Sequence, residues 1–165
     1  MVGVTVALIV TGGAWYWLGK GQAIPAPAFI IEGQPVMLGN GQAETAAAPG
    51  AATKTVTQYF GNVATGDLNG DSVPDVAFLL TQTGGGSGTF YYVVATLVAA
   101  DGSYQGTNAI LLGDRIAPQT TEIRGGQLIV NYAERKAGEP MTARPSVGVS
   151  KYLKVIGREL VEVQP

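Results

Sequence analysis

Downstream of the N-terminus most hydrophobic positions come in short runs, and two segments are almost wholly apolar. "PDVAFLLTQ" (74–82) and "TFYYVVATLVAA" (89–100) are rich in Val, Leu and aromatic residues and are joined by "TGGGSG". Their length, their β-branched and aromatic content and the glycine-rich connection predict the two central core strands of an antiparallel pair. Turn signals then recur at Asp101-Gly102, Gly113-Asp114, Gly125-Gly126 and Gly157. The segments between them, "NAILLG", "TTEIR", "QLIVNYAE" and "SKYLKVIGRELVEVQ", have strand character. Upstream, "AFIIEGQPVMLGNGQAET" reads as short strands broken at Gly33, Pro35 and Gly39-Asn40-Gly41. The Asn40-Gly41 pair suits the positive φ angles of a type I′ turn. "AAAPGAAT" interrupts the pattern, and "KTVTQYF" alternates like a half-buried strand, a short helix being the alternative. "ERKAGEPMTARPSVG" is a longer loop of mixed charge. This order predicts a mainly β fold, a single antiparallel meander or sandwich-like domain, rather than alternating α/β units.

The N-terminus follows another pattern. Val2 to Leu18 is an apolar run, and no charged side chain precedes Lys20. About 17 residues is the shortest helix that spans a hydrocarbon core. Trp15, Tyr16 and Trp17 stand where an interfacial aromatic belt belongs, with Lys20 beyond them. Residues 1–19 therefore read as an N-terminal transmembrane helix anchoring the chain to a membrane through residues 2–18. Two alternatives stay open: a signal segment cleaved near Ala26–Ala28, leaving a secreted protein, and a core strand or helix of a soluble one. Residues 20–28, with Pro25 and Pro27, form an extended linker, and 29–165 is the β-rich domain.

Composition narrows the chemistry. Twenty-four glycines and a charged fraction of 13% agree with many short strands joined by turns. A net charge of −2 without a basic stripe argues against a nucleic-acid partner. The chain has no Cys and no His, so disulfides, thiolate nucleophiles, imidazole bases and ordinary zinc sites are excluded, and with them most common hydrolase mechanisms.

One stretch carries candidate chemistry. In "GDLNGDSVPDVAFLL" (66–80), Asp67, Asn69, Asp71 and Asp75 fall at positions 1, 3, 5 and 9 of a loop, with the Val73 carbonyl at position 7. Oxygen-only ligands at this spacing suit a hard cation, above all Ca²⁺. Position 12 is Phe78 and position 6 is Ser72, and a strand pattern follows, so the loop is not an EF-hand. It resembles the "DxNGDxxxD" loops of FG-GAP and related extracellular β-propeller repeats, in which the last Asp opens a buried strand. A propeller needs several copies, and this chain has one. Without a metal the same residues would form a turn whose Asp and Asn side chains cap their own backbone. The proximity of three carboxylates favours the cation.

A broader resemblance runs from about Tyr59 to Val155. The pattern "GDLNGD…GGSGTFYY…LLGDR", continuing through "EIRGGQLIVNYAERKAGEPM" to "KYLKV", is similar to a group of uncharacterised bacterial extracytoplasmic β-rich domains from anchored or secreted proteins of cyanobacteria and candidate-phylum bacteria. Gly86–Tyr92 and Leu112–Arg115 carry the two most distinctive elements. Cysteines found in some of that group are absent here at Thr142 and Ala143. The resemblance implies an extracytoplasmic domain in the bacterial envelope and implies no activity.

Enzyme candidates are sparse. Ser87, Ser146 and Ser150 lack a base, and no Ser-x-x-Lys or Gly-x-Ser-x-Gly arrangement exists. Asp114, Glu134 and Glu139 could form an acid/base pair, although surface carboxylates are far more often solvated or ion-paired. Tyr91, Tyr92, Tyr104, Tyr132 and Tyr152 could offer a stacking surface, although strand tyrosines more often edge a core. The expectation is a membrane-tethered, calcium-stabilised structural or binding module whose partner is an envelope protein or polymer. The alternative is an envelope hydrolase or enzyme inhibitor acting through the 134–145 loop.

Overall fold

The computed structural model describes residues 14–18, 22–47 and 50–165, with Ala14–Leu18 and Gln22–Ala26 described by backbone only. Among the described residues there are strands and no helix. β1 (Ala14–Leu18) and β2 (Gln22–Ala26) form one antiparallel hairpin, and β3 (Phe29–Ile31) and β4 (Gln34–Val36) a second. β5 (Gln42–Ala46), β6 (Lys54–Gly66), β7 (Asp75–Thr83), β8 (Phe90–Val98), β9 (Tyr104–Gly106) and β10 (Ile110–Asp114) build a six-stranded sheet. Its order is β10-β8-β7-β6-β5, with β9 also paired to β8. β11 (Ala117–Arg124), β12 (Gln127–Glu134), β13 (Val147–Ile156) and β14 (Glu159–Val163) form a four-stranded meander. The sheets are antiparallel, and part of the fold curls into a half-barrel.

The expected N-terminal helix is not shown. Trp15, Tyr16 and Trp17 lie in β1, paired with Pro25, Ile24 and Ala23, and residues 2–13 lie outside the described residues. Runs of aromatic and β-branched residues suit a pleated backbone at least as well as a helix. Part of the proposed linker is likewise strand β2. No helix among the described residues is long and apolar enough to cross a membrane.

The central pair formed by β7 and β8 explains its own sequence. Side chains alternate across a sheet. Leu79, Val93, Ala95 and Leu97 face the four-stranded sheet, where they pack with Leu128, Val130, Tyr132, Leu153 and Leu160. Phe78, Leu80, Tyr92 and Val94 face the other way and pack with Phe29, Ile31, Val36 and Leu38 of the β3–β4 hairpin and its continuation. Both faces are covered, so neither strand shows a polar alternation. The Phe78 ring meets Phe29 edge-on at 5.6 Å and Tyr59 at 5.4 Å. The hairpin is also tied through its backbone: Ile30 N donates to Thr107 O at 3.1 Å, and Ala109 N to Ile30 O at 2.8 Å.

β6 extends well past "KTVTQYF". Its register shifts twice, between Tyr59 and Ala64, where Gly61 and Asn62 take φ values of 123° and 51°. Such bulges bend a strand. The second half of β6 thereby reaches β11, where Asn62 Nδ2 donates to Gln119 O at 3.3 Å. Gly66 lies so close to Ile123 that a Cβ there would stand 2.7 Å from its Cγ2.

The Asn40-Gly41, Gly125-Gly126 and Gly157 turns occur as the pattern predicts, each with positive φ. Gly113-Asp114 is corrected: it is no turn but a bulge within β10, where the register on β8 shifts between Leu111 and Gly113.

Candidate functional site

The loop between β6 and β7 folds on its own side chains. Asp67 Oδ1 accepts a hydrogen bond from Gly70 N at 2.7 Å, and Oδ2 accepts one from Ser72 N at 2.9 Å. Asn69 Oδ1 accepts from Asp71 N at 3.0 Å, and Asp71 Oδ1 from Val73 N at 2.8 Å. Asn69 Nδ2 donates to Asp71 Oδ2 at 3.0 Å. Short polar side chains that accept from amides two to five residues ahead let the backbone coil tightly. Gly70 and Ser72 complete the coil in the left-handed region, at φ 83° and 67°.

Asp75 differs from the other members of the loop. Its side chain is buried, with Leu68 N donating to Oδ2 at 2.8 Å and Val98 N donating to Oδ1 at 2.9 Å. One carboxylate thus fastens the start of the loop to the end of β8, 23 residues further along the chain. Burial pushes its pKa up, the two backbone donors pull it down, and the charges of Asp71 and Asp67 push it up again, leaving it raised overall. Among the described residues no ion pair includes Asp67, Asp71 or Asp75. Three carboxylates therefore share a small region with no ion-paired cationic side chain among the described residues.

The donor set fits a hard cation in kind: carboxylates, an amide oxygen and the Val73 carbonyl, with no nitrogen or sulfur ligand. In this structure the side-chain oxygens of Asp67, Asn69, Asp71 and Asp75 accept from backbone N–H groups, and Asp71 Oδ2 from Asn69 Nδ2. Among the described residues no three acidic side chains converge closely enough to grip an ion. A carboxylate oxygen that accepts one N–H keeps a second lone pair, so these hydrogen bonds do not consume the donors. Beside Asn69 lies a shallow depression of about 460 Å³ bordered by Val98, Ser103, Tyr104 and Arg158.

Several of the remaining candidates have structural partners. Arg115 grips Asp114 through Nη2 at 2.8 Å and Nε at 3.1 Å. Asp114 Oδ1 also accepts from Thr89 N at 2.9 Å, while Arg115 N donates to Thr89 O at 2.7 Å. The hydrogen bonds from Arg115, followed by that from Thr89 N, hold the Asp114 carboxyl below its ordinary range. Arg135 closes the 134–145 loop, donating from Nε to Ala143 O at 2.7 Å and from Nη1 to Asp114 O at 3.3 Å. The "GSGTFYY" and "LGDR" elements are thus two halves of one clamp. Glu139 accepts from Lys136 N at 3.1 Å, and Ser150 Oγ donates to Asn131 Oδ1 at 2.6 Å. Tyr92 and Tyr132 are buried, so the tyrosines do not form one exposed platform.

Residues that sequence reasoning passed over sit where the layers meet. Asn108 imitates a strand backbone: its Nδ2 donates to Leu160 O at 3.1 Å and its Oδ1 accepts from Leu160 N at 2.7 Å. The buried Thr107 Oγ1 accepts from Ala95 N at 3.0 Å and donates to Asn108 O at 2.9 Å. No family model, curated protein or solved structure matches this chain.

Proposed function

We propose that this chain is a membrane-tethered extracytoplasmic β domain of the bacterial envelope, a structural or binding module in which Asp67, Asn69, Asp71, the Val73 carbonyl and Asp75 hold a calcium ion. The observation that carries the reading is the buried Asp75 carboxylate. It shares its surroundings with Asp67 and Asp71, whose charges push its pKa up, and among the described residues no cationic side chain pairs with the three. A divalent cation would relieve that repulsion. Ligation needs the side chains of Asp67 and Asp71 to turn from backbone amides toward a common point, a local change in an exposed loop.

The role of the ion is structural. A cation bound only by the folded chain stabilises it by RT ln(1 + [L]/Kd), about 2.7 kcal/mol at a hundredfold excess over Kd. The apolar run over residues 2–18, of which Ala14–Leu18 form strand β1, is what supports the tether, and the resemblance to bacterial extracytoplasmic domains is what supports the address. No catalytic group is assigned. Asp114 is held by Arg115, and the chain has neither His nor Cys to act as base or thiolate nucleophile.

The test is thermal unfolding of the full chain in EDTA against millimolar Ca²⁺, with Mg²⁺ as control. The expected result is a rise in Tm specific to Ca²⁺. An unchanged Tm would make "DLNGDSVPD" a self-capped turn.

A further inference from the structure

Away from the acidic loop, a groove of about 330 Å³ opens on the face of the six-stranded sheet that carries the β3–β4 hairpin. Glu32, Thr55, Gln82, Phe90, Tyr92 and Leu111 line it. Phe90 and Leu111 are unusually open for such side chains, at 42% and 47% exposure. The Phe90 ring lies against Gly88, where a Cβ would stand 2.9 Å from its Cε2, so the glycine leaves room for the ring. Glu32 occupies the first position of the β3–β4 turn with φ 49°, ahead of Gly33 at 79°. That position favours Asn, Asp or Gly, and a longer side chain there carries backbone strain. The buried Tyr92 orients the carboxylate, its hydroxyl donating to Glu32 Oε1 at 2.7 Å.

Among the described residues the only charged side chain of the lining is a carboxylate. Glu32 is negative, and Oε2 is outside the Tyr92 bond. Gln82 gives one of its two amide hydrogens to Thr57 Oγ1 at 3.0 Å, and its carbonyl oxygen is able to accept. Among the described residues no Lys or Arg lines the groove. A carboxylate and an exposed aromatic ring lining one groove, with further oxygens able to accept hydrogen bonds, complement a cation that donates several. We propose that this groove binds a primary ammonium group carried on a short carbon frame, with Glu32 as its counter-charge and Phe90 as the ring over which it lies. The site is separate from the acidic loop and does not depend on a bound metal.

The test is an NMR titration of the isotopically labelled full chain in EDTA. Two ammonium probes, Nα-acetyl-lysine amide and a methyl glucosaminide, are compared with their neutral counterparts, Nα-acetyl-norleucine amide and a methyl glucoside. Saturable shifts at the amides of Glu32, Gly33, Phe90 and Leu111 are expected from at least one ammonium probe and from neither neutral one. A response to the lysine probe alone identifies a peptide source, and to the sugar alone a glycan source. Glu32→Gln still accepts from Tyr92 and should leave Tm in place while weakening binding roughly tenfold or more, as loss of a charge-assisted contact requires. Phe90→Ala, at an exposed position, should weaken it severalfold. Absence of shifts with both ammonium probes, equal shifts with the neutral probes, or unchanged binding in Glu32→Gln would each overturn the proposal.

Discussion

Replacing Asp75 with alanine or asparagine separates what its oxygens do from what its charge does. Alanine orphans two donors, Leu68 N in a buried setting and Val98 N in a partly buried one. An unsatisfied buried donor costs about 1–3 kcal/mol, and the second is partly offset by water, so Asp75→Ala should lose roughly 2–5 kcal/mol. Asparagine keeps one acceptor and removes the charge, and its loss should be smaller than that of alanine, about 1–2 kcal/mol. The pH dependence gives the sharper test. The folded-state pKa of Asp75 lies above its ordinary value near 3.8, so the folded chain holds that proton more tightly than the unfolded chain. Its contribution to stability is therefore most favourable below the unfolded pKa and declines as pH rises through the folded one. Urea unfolding of wild type and Asp75→Asn in EDTA, from pH 3 upward, should show the wild-type advantage shrinking across that window. Carboxylates remote from the loop titrate in both proteins and cancel in the difference, while Asp67 and Asp71, which interact with Asp75, remain part of the signal. A difference that stays flat or grows with pH would refute the account of Asp75 as a buried, repelled carboxylate.

Asp71→Ala removes only exposed hydrogen bonds and relieves repulsion on Asp75, so in EDTA it should change stability by no more than about 1 kcal/mol. In saturating Ca²⁺ it should also lose the ligand term of about 2.7 kcal/mol, and equal losses in the two titrations would remove the metal from the account. Phe78→Ala empties the centre of the hairpin-side core and should cost about 3–5 kcal/mol in denaturant unfolding. Asn108→Ala should cost roughly 1–3 kcal/mol and abolish hydrogen-exchange protection at Leu160 N, while distant amides of β6 keep theirs.

The β7–β8 pair was legible because it obeys a local rule: near-continuous apolar runs on either side of a glycine-rich link can hardly pair otherwise. The turns at Asn40-Gly41 and Gly125-Gly126 were legible because they need positive φ, which few residues supply. Gly113-Asp114 carries the same turn chemistry yet forms a bulge, because Arg115 and Thr89, the latter on the neighbouring hairpin, hold Asp114 in place. The bend in β6 was hidden for a related reason, since "GNVATG" offers little strand pattern and only contact with β11 gives it a path. Of the loop, the sequence showed the spacing of Asp67, Asn69, Asp71 and Asp75. It could not show that Asp75 is answered by Val98, because that bond exists only after the two central strands have paired. The Glu32 groove had no local signature, its walls being gathered from the β3–β4 turn and from the four strands β6, β7, β8 and β10.

The placement of the two cores on opposite faces of β7 and β8 bears on how the domain comes apart. One pair of strands is the shared wall of both cores, with Leu79 and Val93 on one side and Phe78 and Val94 on the other. Peeling away the β3–β4 hairpin would wet that second face, and separating the four-stranded meander would wet the first. Either loss weakens the wall that supports the remaining layer. The domain should therefore melt in a single cooperative step, with fluorescence and far-ultraviolet dichroism giving coincident transitions.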